Sequence, residues 1–328
     1  MIAKEREVPL IIPKLEALLR RIPLNHPQRI RVEEDLRKYN SGYRGEQSID
    51  YHLNFLENDD YIIFHGLRLP WKNDFHFQID TLLLATNCIF LLEVKNIAGT
   101  IFFDTSSQQM IRSLEEKEES YPCPILQSNR HVIQLNEWLR HHRFTNIPII
   151  PYIIFTNSSS ILKTSPSNQD VFDKIFTSAS FPPEINTARK KYSSKLLNKP
   201  KIDRLTNLFL TEHREYEPDI LKKFKVAPSE LLSGMGCPAC NKLSINRKNG
   251  KWRCQLCEGS FPVSFFQTLM DFRLLISSTI SNKQFRQFTN LTSPSVATKQ
   301  LLKMNFQYTG SYKNRKYQLS LQQIRDLL

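Results

Sequence analysis

Two adjacent apolar segments, residues 75–85 and 88–96, contain charged side chains at positions where a buried strand normally has none. Both segments are rich in Leu, Ile, Val and Phe, and only Thr86 and Asn87 separate them. Because Asn tolerates a positive φ, this spacing predicts a β-hairpin with a two-residue turn. Apolar residues on both faces predict that the hairpin occupies the centre of a sheet.

The predicted turn also indicates which residues face each other. If Ala85 pairs with Cys88, Asp80 lies directly opposite Glu93, and Lys95 follows on the same face because side chains alternate along a strand. Buried carboxylates that face each other are unfavourable unless a cation lies between them. The hairpin is therefore predicted to hold a divalent metal ion between Asp80 and Glu93.

Such an ion would have oxygen ligands, and the carbonyl of Val94 could complete the site. An ion held there would bind a phosphate and a water molecule, and Lys95 could hold or activate that water. Two other interpretations stay open: a charged patch on a solvated strand, and an ion pair between Lys95 and one carboxylate. A register shift of one residue would separate the three side chains.

The length of 328 residues predicts two or three domains, and the formal net charge is +13. Residues 1–160 contain 18 Lys and Arg against 20 Asp and Glu, whereas residues 161–328 contain 27 against 12. From residue 237 onward the counts are 14 and 3. This distribution predicts that the second half binds a polyanion; the alternative is an uncommitted basic surface.

The sequence has no run of apolar residues long enough to span a membrane, and its first residues, MIAKEREVPLIIPK, include acidic charge and no cleavage site. These features predict neither a membrane span nor a signal peptide. The expected protein is soluble and cytoplasmic, with no membrane partner.

Four of the six cysteines form two Cys-x-x-Cys pairs. Each pair predicts a tight turn, and an Asn249-Gly250 turn between the pairs would bring four thiolates together around zinc. Four thiolates complete a tetrahedral shell, so the zinc is expected to be structural; disulfides are the alternative. Cys88 and Cys123 are expected to be small buried side chains. The predicted zinc ligands are Cys237, Cys240, Cys254 and Cys257.

Helices are predicted on both sides of the hairpin. Apolar spacing predicts one over residues 9–21, a second from about Arg31, a break near Gly42 and a third that carries Glu46 on its apolar side. Glu46 is then either a surface group or a carboxylate that points toward those of the sheet.

After the hairpin, the acidic run 115–119 is expected to be a solvated loop. Pro124 is suited to the first turn of a helix on which Gln127 and His131 lie one turn apart, and residues 147–157 predict another buried strand. Strand, strand, helix and strand after an N-terminal helix predict an α/β fold with a mixed sheet.

Four motifs follow one another between residues 40 and 160. They are Gly45-Glu46, Gln78-Ile79-Asp80, Glu93-Val94-Lys95-Asn96 with Gly99 close behind, and Pro124-x-x-Gln127-x-x-x-His131. Together they resemble the nuclease-related domain, NERD, a family placed in the PD-(D/E)XK nuclease superfamily. His131 departs from the Tyr often found after the Gln in related nucleases, and a packing role is expected for it.

The resemblance implies a restriction-endonuclease-like mixed sheet flanked by helices, and a metal-dependent deoxyribonuclease activity. It also implies Asp80 and Glu93 as ligands of Mg²⁺ or Mn²⁺, with Lys95 as the catalytic lysine. Gln127 would orient water or phosphate, and Glu46 would be a helper carboxylate.

Residues after 261 predict three helices followed by two short strands around a basic hairpin, an order typical of a winged helix. Ser281 and Ser293 are the expected N-caps of the second and third helices, and Pro294 is the first residue of the third. Ser295 and Thr298 would be available to a DNA groove. Docking of a protein is the alternative. The predicted DNA-binding residues are Lys299, Lys303, Lys313, Arg315 and Lys316.

The predicted organisation has N-terminal helices in residues 1–40, a NERD-like nuclease domain in 41–160, a basic helical linker in 161–232, a zinc ribbon in 233–260 and a winged-helix-like domain in 261–328. The predicted function is metal-dependent hydrolysis of DNA phosphodiester bonds, with the zinc ribbon and winged helix holding the duplex. A non-catalytic DNA-binding or regulatory protein on a nuclease-fold scaffold is the alternative. The motifs leave RNA open as a substrate and a homodimer open as the assembly.

Overall fold

The chain is divided into two compact units. The structure is a computed structural model that describes residues 1–56, 61–104, 107–192, 194–248, 251–260 and 265–325. The first unit comprises Met1–Pro9 and Tyr39–Tyr216, and the second comprises Leu10–Lys38 and Glu217–Leu328. Within the described ranges, no helix combines the length and the apolar character that a membrane crossing requires.

The regular elements are numbered in chain order. The helices are α1 (Ile11–Arg21), α2 (Arg29–Leu53), α3 (Pro124–His141), α4 (Phe181–Lys190), α5 (Lys199–Glu212), α6 (Ile220–Phe224), α7 (Phe266–Leu275), α8 (Asn282–Thr289), α9 (Pro294–Lys303) and α10 (Leu321–Arg325). The strands are β1 (Ile2–Lys4), β2 (Ile62–Pro70), β3 (His76–Leu84), β4 (Ile89–Lys95), β5 (Gly99–Asp104), β6 (Gln109–Leu114), β7 (Lys117–Pro122), β8 (Ile149–Phe155), β9 (Ser160–Thr164), β10 (Ile175–Thr177), β11 (Met235–Gly236), β12 (Leu243–Lys248), β13 (Lys251–Cys254), β14 (Thr279–Ser281), β15 (Tyr308–Thr309) and β16 (Lys316–Gln318).

The main sheet of the first unit has the strand order β1-β2-β3-β4-β8-β10. Strands β2, β3 and β4 are antiparallel neighbours, whereas β1, β8 and β10 join in parallel, so the sheet is mixed. The turn between β3 and β4 is closed by a hydrogen bond of 3.0 Å from the Ala85 N–H to the Cys88 carbonyl. Thr81 pairs with Leu92, which confirms the predicted register.

Two buried clusters join helices to this sheet. Leu91 of β4 belongs to the cluster that includes α3 and α5, and Phe90 belongs to the cluster that includes α2 and α4. Because neighbouring residues of a strand point in opposite directions, the two clusters lie on opposite faces. A second sheet, in the order β7-β6-β5-β9, packs through Phe103 onto Phe155 of β8. The first unit is therefore a mixed α/β fold, as predicted.

Helix α2 is continuous, so the predicted break near Gly42 is wrong. A Cβ added at Gly42 would meet no atom within 4 Å, so this glycine lowers helix stability only through its propensity, by about 1 kcal/mol. Fully buried Ile49 and nearly buried Leu53 hold the following turns against the sheet. Packing therefore outweighs local propensity in this helix.

The acidic run 115–119 forms a hairpin turn and the start of β7, so the predicted loop is wrong. Glu115 and Glu116 have φ values of 49° and 62°, and two consecutive left-handed residues suit a two-residue hairpin turn. Arg112 on β6 donates to Glu119 at 3.0 Å across the strands. This cross-strand pair offsets the repulsion between the acidic side chains.

Residues 161–232, predicted as a basic helical linker, contain strands as well as helices α4, α5 and α6. Strand β10 pairs with β8 in the main sheet, and most of β9, which pairs with β5, also falls in this range. Phe209 of α5 is fully buried in the core of the sheet. The two strands have only three and five residues, too few for the alternating pattern that identifies a strand in a sequence.

In the second unit, β11, β12 and β13 form an antiparallel sheet, and the predicted Asn249-Gly250 turn lies outside the described residues. Helices α7, α8 and α9 follow, with a short sheet in the order β14-β16-β15. Ser281 accepts a hydrogen bond from the Gln284 N–H at 3.3 Å, and Ser293 accepts one from the Val296 N–H at 3.4 Å. Both predicted N-caps are confirmed.

Candidate functional site

The charged residues of the β3–β4 hairpin lie together. Lys95 Nζ donates to Glu93 Oε1 at 2.7 Å, and the Val94 N–H donates to Asp80 Oδ2 at 2.8 Å. The side chain of Glu93 is 6% exposed, that of Lys95 is 21% exposed, and Asp80 is half-buried. The ion pair between Lys95 and one carboxylate is therefore present. The second oxygen of each carboxylate lies outside these two bonds.

Helix α3 adds two predicted residues to this group. Gln127 Oε1 accepts a hydrogen bond from Lys95 Nζ at 3.1 Å, and the Gln127 side chain is also hydrogen-bonded to Glu93. His131 Nδ1 lies 3.6 Å from Glu93 Oε2, and its ring centre is 6.4 Å from that of Phe77. Helix α3 thus contributes a hydrogen bond to Lys95.

Glu46 approaches the hairpin from helix α2. The close approach depends on its neighbour Gly45, because a Cβ there would lie 2.5 Å from Asn96 Cβ, well inside the contact distance of two carbon atoms. Glu46 Oε2 accepts a hydrogen bond from Arg6 Nη1 at 3.1 Å. The charge of Asp80 acts on Glu46, so the two carboxyl groups are electrostatically coupled.

Burial and mutual repulsion raise the pKa values of these carboxyl groups. The pKa of Glu46 is raised to about 8, by burial first and then by Asp80. The pKa of Asp80 is raised to about 7, by burial and then by Glu93, and burial also raises the pKa of Glu93 although Lys95 opposes it. Burial lowers the pKa of His131 to about 4, so its ring is neutral near pH 7. Burial and mutual repulsion therefore outweigh the positive charge of Lys95 and Arg6, a condition that a bound cation would relieve.

Four residues beside Glu46 were missed by the sequence analysis. Arg6 Nη2 donates to Asp50 Oδ1 at 2.7 Å and to Thr81 Oγ1 at 3.2 Å, and it lies 2.8 Å from His65 Nδ1. A histidine in the apolar strand IIFHGLRL was a signal that could have been used. No sequence signal connects Arg6 to residues 40 or more positions further along the chain.

A separate cavity of about 660 Å³ in the first unit contains none of the predicted catalytic residues in its lining. Its acidic groups already have partners: Glu137 accepts from Trp71 Nε1 at 2.7 Å, and Glu212 accepts from Trp138 Nε1 at 2.8 Å. Asp80 and Glu93 of the hairpin and Glu46 of α2 have raised pKa values, which is the more informative sign of a chemical site. The hairpin is therefore the candidate active site.

In the second unit, the four predicted zinc ligands come together. Their sulfur atoms lie within 4.8 Å of one another, with 3.6 Å between Cys237 and Cys257 and the same distance between Cys240 and Cys254. Four Zn–S bonds of about 2.3 Å in a tetrahedron place the sulfur atoms about 3.8 Å apart, so the spacing fits zinc. All four cysteines are free, which argues against the disulfide alternative.

The Cys254 sulfur lies among hydrogen-bond donors. Ser244 Oγ is 2.9 Å away, and the N–H groups of Leu256 and Cys257 are each 3.4 Å away. The Ser244 contact and the N–H of Cys257 lower the pKa of Cys254 to about 6. The thiolate is the form that binds zinc, and this environment favours the thiolate of Cys254.

The predicted DNA-binding residues differ in the exposure of their side chains. Lys299, Lys303 and Lys316 are exposed. Arg315 is half-buried, with its guanidinium 4.1 Å from the centre of the Tyr308 ring. The side chain of Lys313 lies outside the described part of the structure.

Thr298 is not available to DNA in the way the sequence predicted. Its hydroxyl donates to the Pro294 carbonyl at 3.0 Å and accepts from Asn282 Nδ2 at 2.9 Å. The hydroxyl therefore ties α9 to α8. A threonine hydroxyl four residues after a helix start commonly bonds back to the chain in this way.

Comparisons with known proteins identify a family for part of the chain. An uncharacterized protein of Bacillus anthracis is 24% identical over 149 residues, which are 45% of this chain and 66% of that protein. The chain thus aligns with slightly less than two thirds of that relative's length. No solved structure matches the chain significantly. The family model of the nuclease-related domain matches residues 41–156, the stretch that contains the hairpin acids and Gln127, and these residues are therefore a NERD domain.

Proposed function

We propose that the chain is a metal-dependent DNA endonuclease that hydrolyses phosphodiester bonds. The observation that carries this proposal is that the charges of Asp80 and Glu93 act on each other and Lys95 bonds to Glu93, inside a NERD domain. Paired carboxylates beside a lysine are suited to bind a divalent ion and to place a water molecule against a phosphate. The mixed sheet would be of the restriction-endonuclease-like kind.

The donor atoms fit Mg²⁺ or Mn²⁺. Both ions prefer oxygen ligands, and Mg²⁺ usually keeps several waters, so one or two protein carboxylates are enough. Asp80 and Glu93 would hold the ion through the oxygens that Val94 and Lys95 do not use, and Glu46 would bind its waters. When bound, such an ion polarises the scissile phosphate and lowers the pKa of a water molecule.

Lys95 and Gln127 would position the reacting groups. Lys95 Nζ is fixed by Glu93 on one side and by Gln127 on the other, so its charge occupies a defined place. A positive group fixed beside a phosphate stabilises the negative charge that develops during the attack of water. Binding of a cation must displace protons from Asp80 and Glu46, so cleavage is expected to increase as the pH rises toward 8.

The second unit would hold the duplex. A structural zinc ion would fix the two Cys-x-x-Cys turns, and α7, α8, α9 and the two following strands would form a winged-helix domain. The charge supports this role, because residues from 237 onward contain 14 Lys and Arg against 3 Asp and Glu. Exposed Lys299, Lys303 and Lys316, together with Lys313 and Arg315, are the proposed phosphate contacts.

The test is cleavage of plasmid and linear DNA with Mg²⁺ or Mn²⁺, and with EDTA instead of metal. We expect Glu93→Ala and Lys95→Ala to lose activity by on the order of 10²-fold or more. Lys72 and Glu137 form an ion pair of 2.8 Å in the same unit and provide the matched control. Lys72→Ala and Glu137→Ala should cleave as the unmodified protein does. Equal losses in both pairs would contradict the assignment of the site.

A non-catalytic DNA-binding or regulatory protein is the second candidate. One observation favours it: Lys95 and Arg6 already supply positive charge to Glu93 and Glu46. Such a protein would bind DNA without added Mg²⁺ or Mn²⁺ and show no metal-dependent cleavage of any substrate. Parallel assays with RNA decide the substrate class. The homodimer finds no support in the structure or in the similar proteins.

A further inference from the structure

Arg6 lies in the short segment that precedes α1 and outside the NERD match. This segment nevertheless belongs to the first unit, because β1 pairs in parallel with β2 of the main sheet. The pairing brings Arg6, two residues after β1, against helix α2. The candidate site therefore has a neighbour that the domain boundaries alone would omit.

The Arg6 guanidinium connects α2 with β3. Asp50 anchors it by accepting from Nε at 3.1 and 3.2 Å and from Nη2 at 2.7 Å. Nη1 donates to Glu46 Oε2 at 3.1 Å, and Nη2 donates to Thr81 Oγ1 at 3.2 Å. Thr81 directly follows Asp80 in β3. The Arg6 side chain thus bonds both to Glu46 and to the strand that carries Asp80.

The position of Arg6 is incompatible with direct binding of DNA. Its side chain is 6% exposed, so the guanidinium points into the protein. Buried charges persist when they are paired and hydrogen-bonded. The two partners Glu46 and Asp50 are one turn apart on α2, which lets a single planar guanidinium bind both.

His65 fixes the remaining side of the guanidinium. Burial and then the charge of Arg6 lower the pKa of His65 to about 4, so the ring is neutral near pH 7. Because Arg6 Nη2 donates to Nδ1 at 2.8 Å, the ring proton must be on Nε2, which lies 4.0 Å from Asp50 Oδ1. A neutral ring in one tautomer can orient the guanidinium without competing for the carboxylates.

We propose that Arg6 is a positioning residue of the nuclease site, which holds Glu46 and the Asp80 strand in place from a segment outside the NERD domain. The role rests on the proposed nuclease function. Without Arg6, Glu46 would lose the donor on Oε2, and repulsion from Asp80 would favour rotamers that turn its carboxylate away. Arginine suits this role better than lysine, because the planar group has donors for all its partners at once.

The kinetic test compares Arg6→Ala with the unmodified protein at saturating metal. We expect kcat to fall about tenfold or more, as is typical when a group that supports a metal-site ligand is removed, with KM for DNA unchanged because Arg6 is buried. Millimolar guanidinium should restore part of the lost rate by filling the vacated space, and Arg6→Lys should lie between the two. Arg112→Ala removes a paired arginine of the same unit and is the control.

A double substitution shows whether Arg6 acts through Glu46. If it does, Arg6→Ala combined with Glu46→Gln should lose less rate than the product of the two single losses. Losses that multiply, or a folded Arg6→Ala protein with unchanged kcat, would overturn the proposal. If Arg6→Ala does not fold, Asp50→Asn replaces it, since this change keeps Arg6 and weakens only its anchor.

A second readout is independent of cleavage. Nitrogen-15 spectra of the histidine rings should show His65 with its proton on Nε2, and Arg6→Ala should shift the His65 signals while Arg112→Ala does not. Guanidinium should reverse the shift. If the unmodified protein does not cleave, the nuclease function and this role fail together, whereas unchanged His65 signals in Arg6→Ala would refute the contact itself.

Discussion

The acidic residues of the site affect folding as well as chemistry. A carboxyl group whose pKa is higher in the folded chain than in the unfolded chain favours folding at low pH, and this contribution is lost as the pH rises through the folded value. For Asp80 the window extends from about 4 to about 7. The metal-free protein should therefore lose stability over this range, relative to a variant in which the group cannot ionise.

We predict that Asp80→Asn is more stable than the unmodified protein at pH 8 by on the order of 2 kcal/mol, with the difference lost near pH 4. The Asn side-chain oxygen can still accept from the Val94 N–H, so the change removes charge and little else. Urea unfolding without added Mg²⁺ or Mn²⁺ at both pH values measures the effect. A stability difference that is the same at both values would show that Asp80 is not the group responsible.

Asp271 gives the opposite case, a buried carboxylate with two positive partners in the second unit. It accepts from Arg20 Nη2 at 2.8 Å and from Arg21 Nε at 2.7 Å, and the side chains of Arg21 and Asp271 are each 1% exposed. Asp271→Ala would leave a buried guanidinium uncompensated, and we predict a loss of about 3 to 5 kcal/mol in the free energy of unfolding.

The control for Asp271→Ala is Glu33→Ala, which removes an exposed partner of Arg29 on the surface of α2. Exposed pairs of this kind contribute about 0.5 kcal/mol or less. Denaturant unfolding of the two variants should differ by several kcal/mol. Similar losses would mean that Asp271 is accessible to solvent.

For individual residues, the sequence predicts contacts within the hairpin but not contacts between elements that are distant in sequence. Asp80 and Glu93 could be paired because a two-residue turn fixes the register between them. Arg6 could not be connected with Glu46, because parallel pairing of β1 with β2 leaves no periodic signal in so short a strand. His131 could be placed near Gln127 by helical spacing, but its distance to Glu93 depends on how α3 packs.

Among the elements, α2 matters most for the site because its close approach to β4 carries Glu46. The helix contains a pair of glycines with different surroundings, Gly42 in open space and Gly45 against Asn96. We predict that Gly42→Ala stabilises the protein by up to about 1 kcal/mol, whereas Gly45→Ala destabilises it and reduces cleavage, since its Cβ would push the helix away from the strand. Thermal unfolding and cleavage rates measure both effects.

One result would contradict the proposed role of Gly45. If Gly45→Ala is as stable and active as Gly42→Ala, then α2 does not need its close contact with β4, and Glu46 has no fixed place at the site. The comparison is matched because both changes add the same methyl group to the same helix. Only the surroundings differ.

Element predictions succeeded where side-chain chemistry decided the structure and failed where tertiary contacts decided it. Ser281 and Ser293 mark their helices because an N-cap oxygen satisfies free backbone N–H groups. The predicted break at Gly42 followed propensity, which packing of the helix overrides. The charge of the acidic run predicts a loop, but paired strands tolerate such charges when partners lie opposite.

At the scale of the whole chain, the two units have contributions that are interleaved in sequence. Residues 1–9 join the first unit and residues 10–38 join the second, and α2 begins in the second unit and ends in the first. The predicted domains are consecutive ranges of the sequence, whereas each unit is built from two separate ranges. The cysteine cluster, in contrast, could be predicted directly. Its four ligands come from two Cys-x-x-Cys pairs that lie close together in the sequence.

We predict that the purified protein contains a single zinc ion per chain, and that Cys254→Ser loses it. Serine provides no thiolate, so a tetrahedral shell of four sulfur ligands cannot form. Cys88→Ser and Cys123→Ser, which change cysteines outside the cluster, should retain the metal. Elemental analysis of the four proteins gives the result. Zinc retained in Cys254→Ser would contradict the assignment.

The excess of positive charge in the second unit predicts how DNA binding depends on salt concentration. If Lys299, Lys303 and Lys316 each neutralise a phosphate, each change to Gln should weaken binding equally for all sequences and reduce the slope of log K against log salt by about 0.9. Arg325→Gln removes an exposed positive charge of the same unit that is not a proposed contact, and it should leave the slope unchanged. Titrations in a Glu93→Ala background without added Mg²⁺ or Mn²⁺ separate binding from cleavage and avoid a chelator that would remove zinc. If Arg325→Gln lowers the slope as much as the lysine changes do, binding reflects the total charge of the unit, and α9 and the following strands form no defined interface.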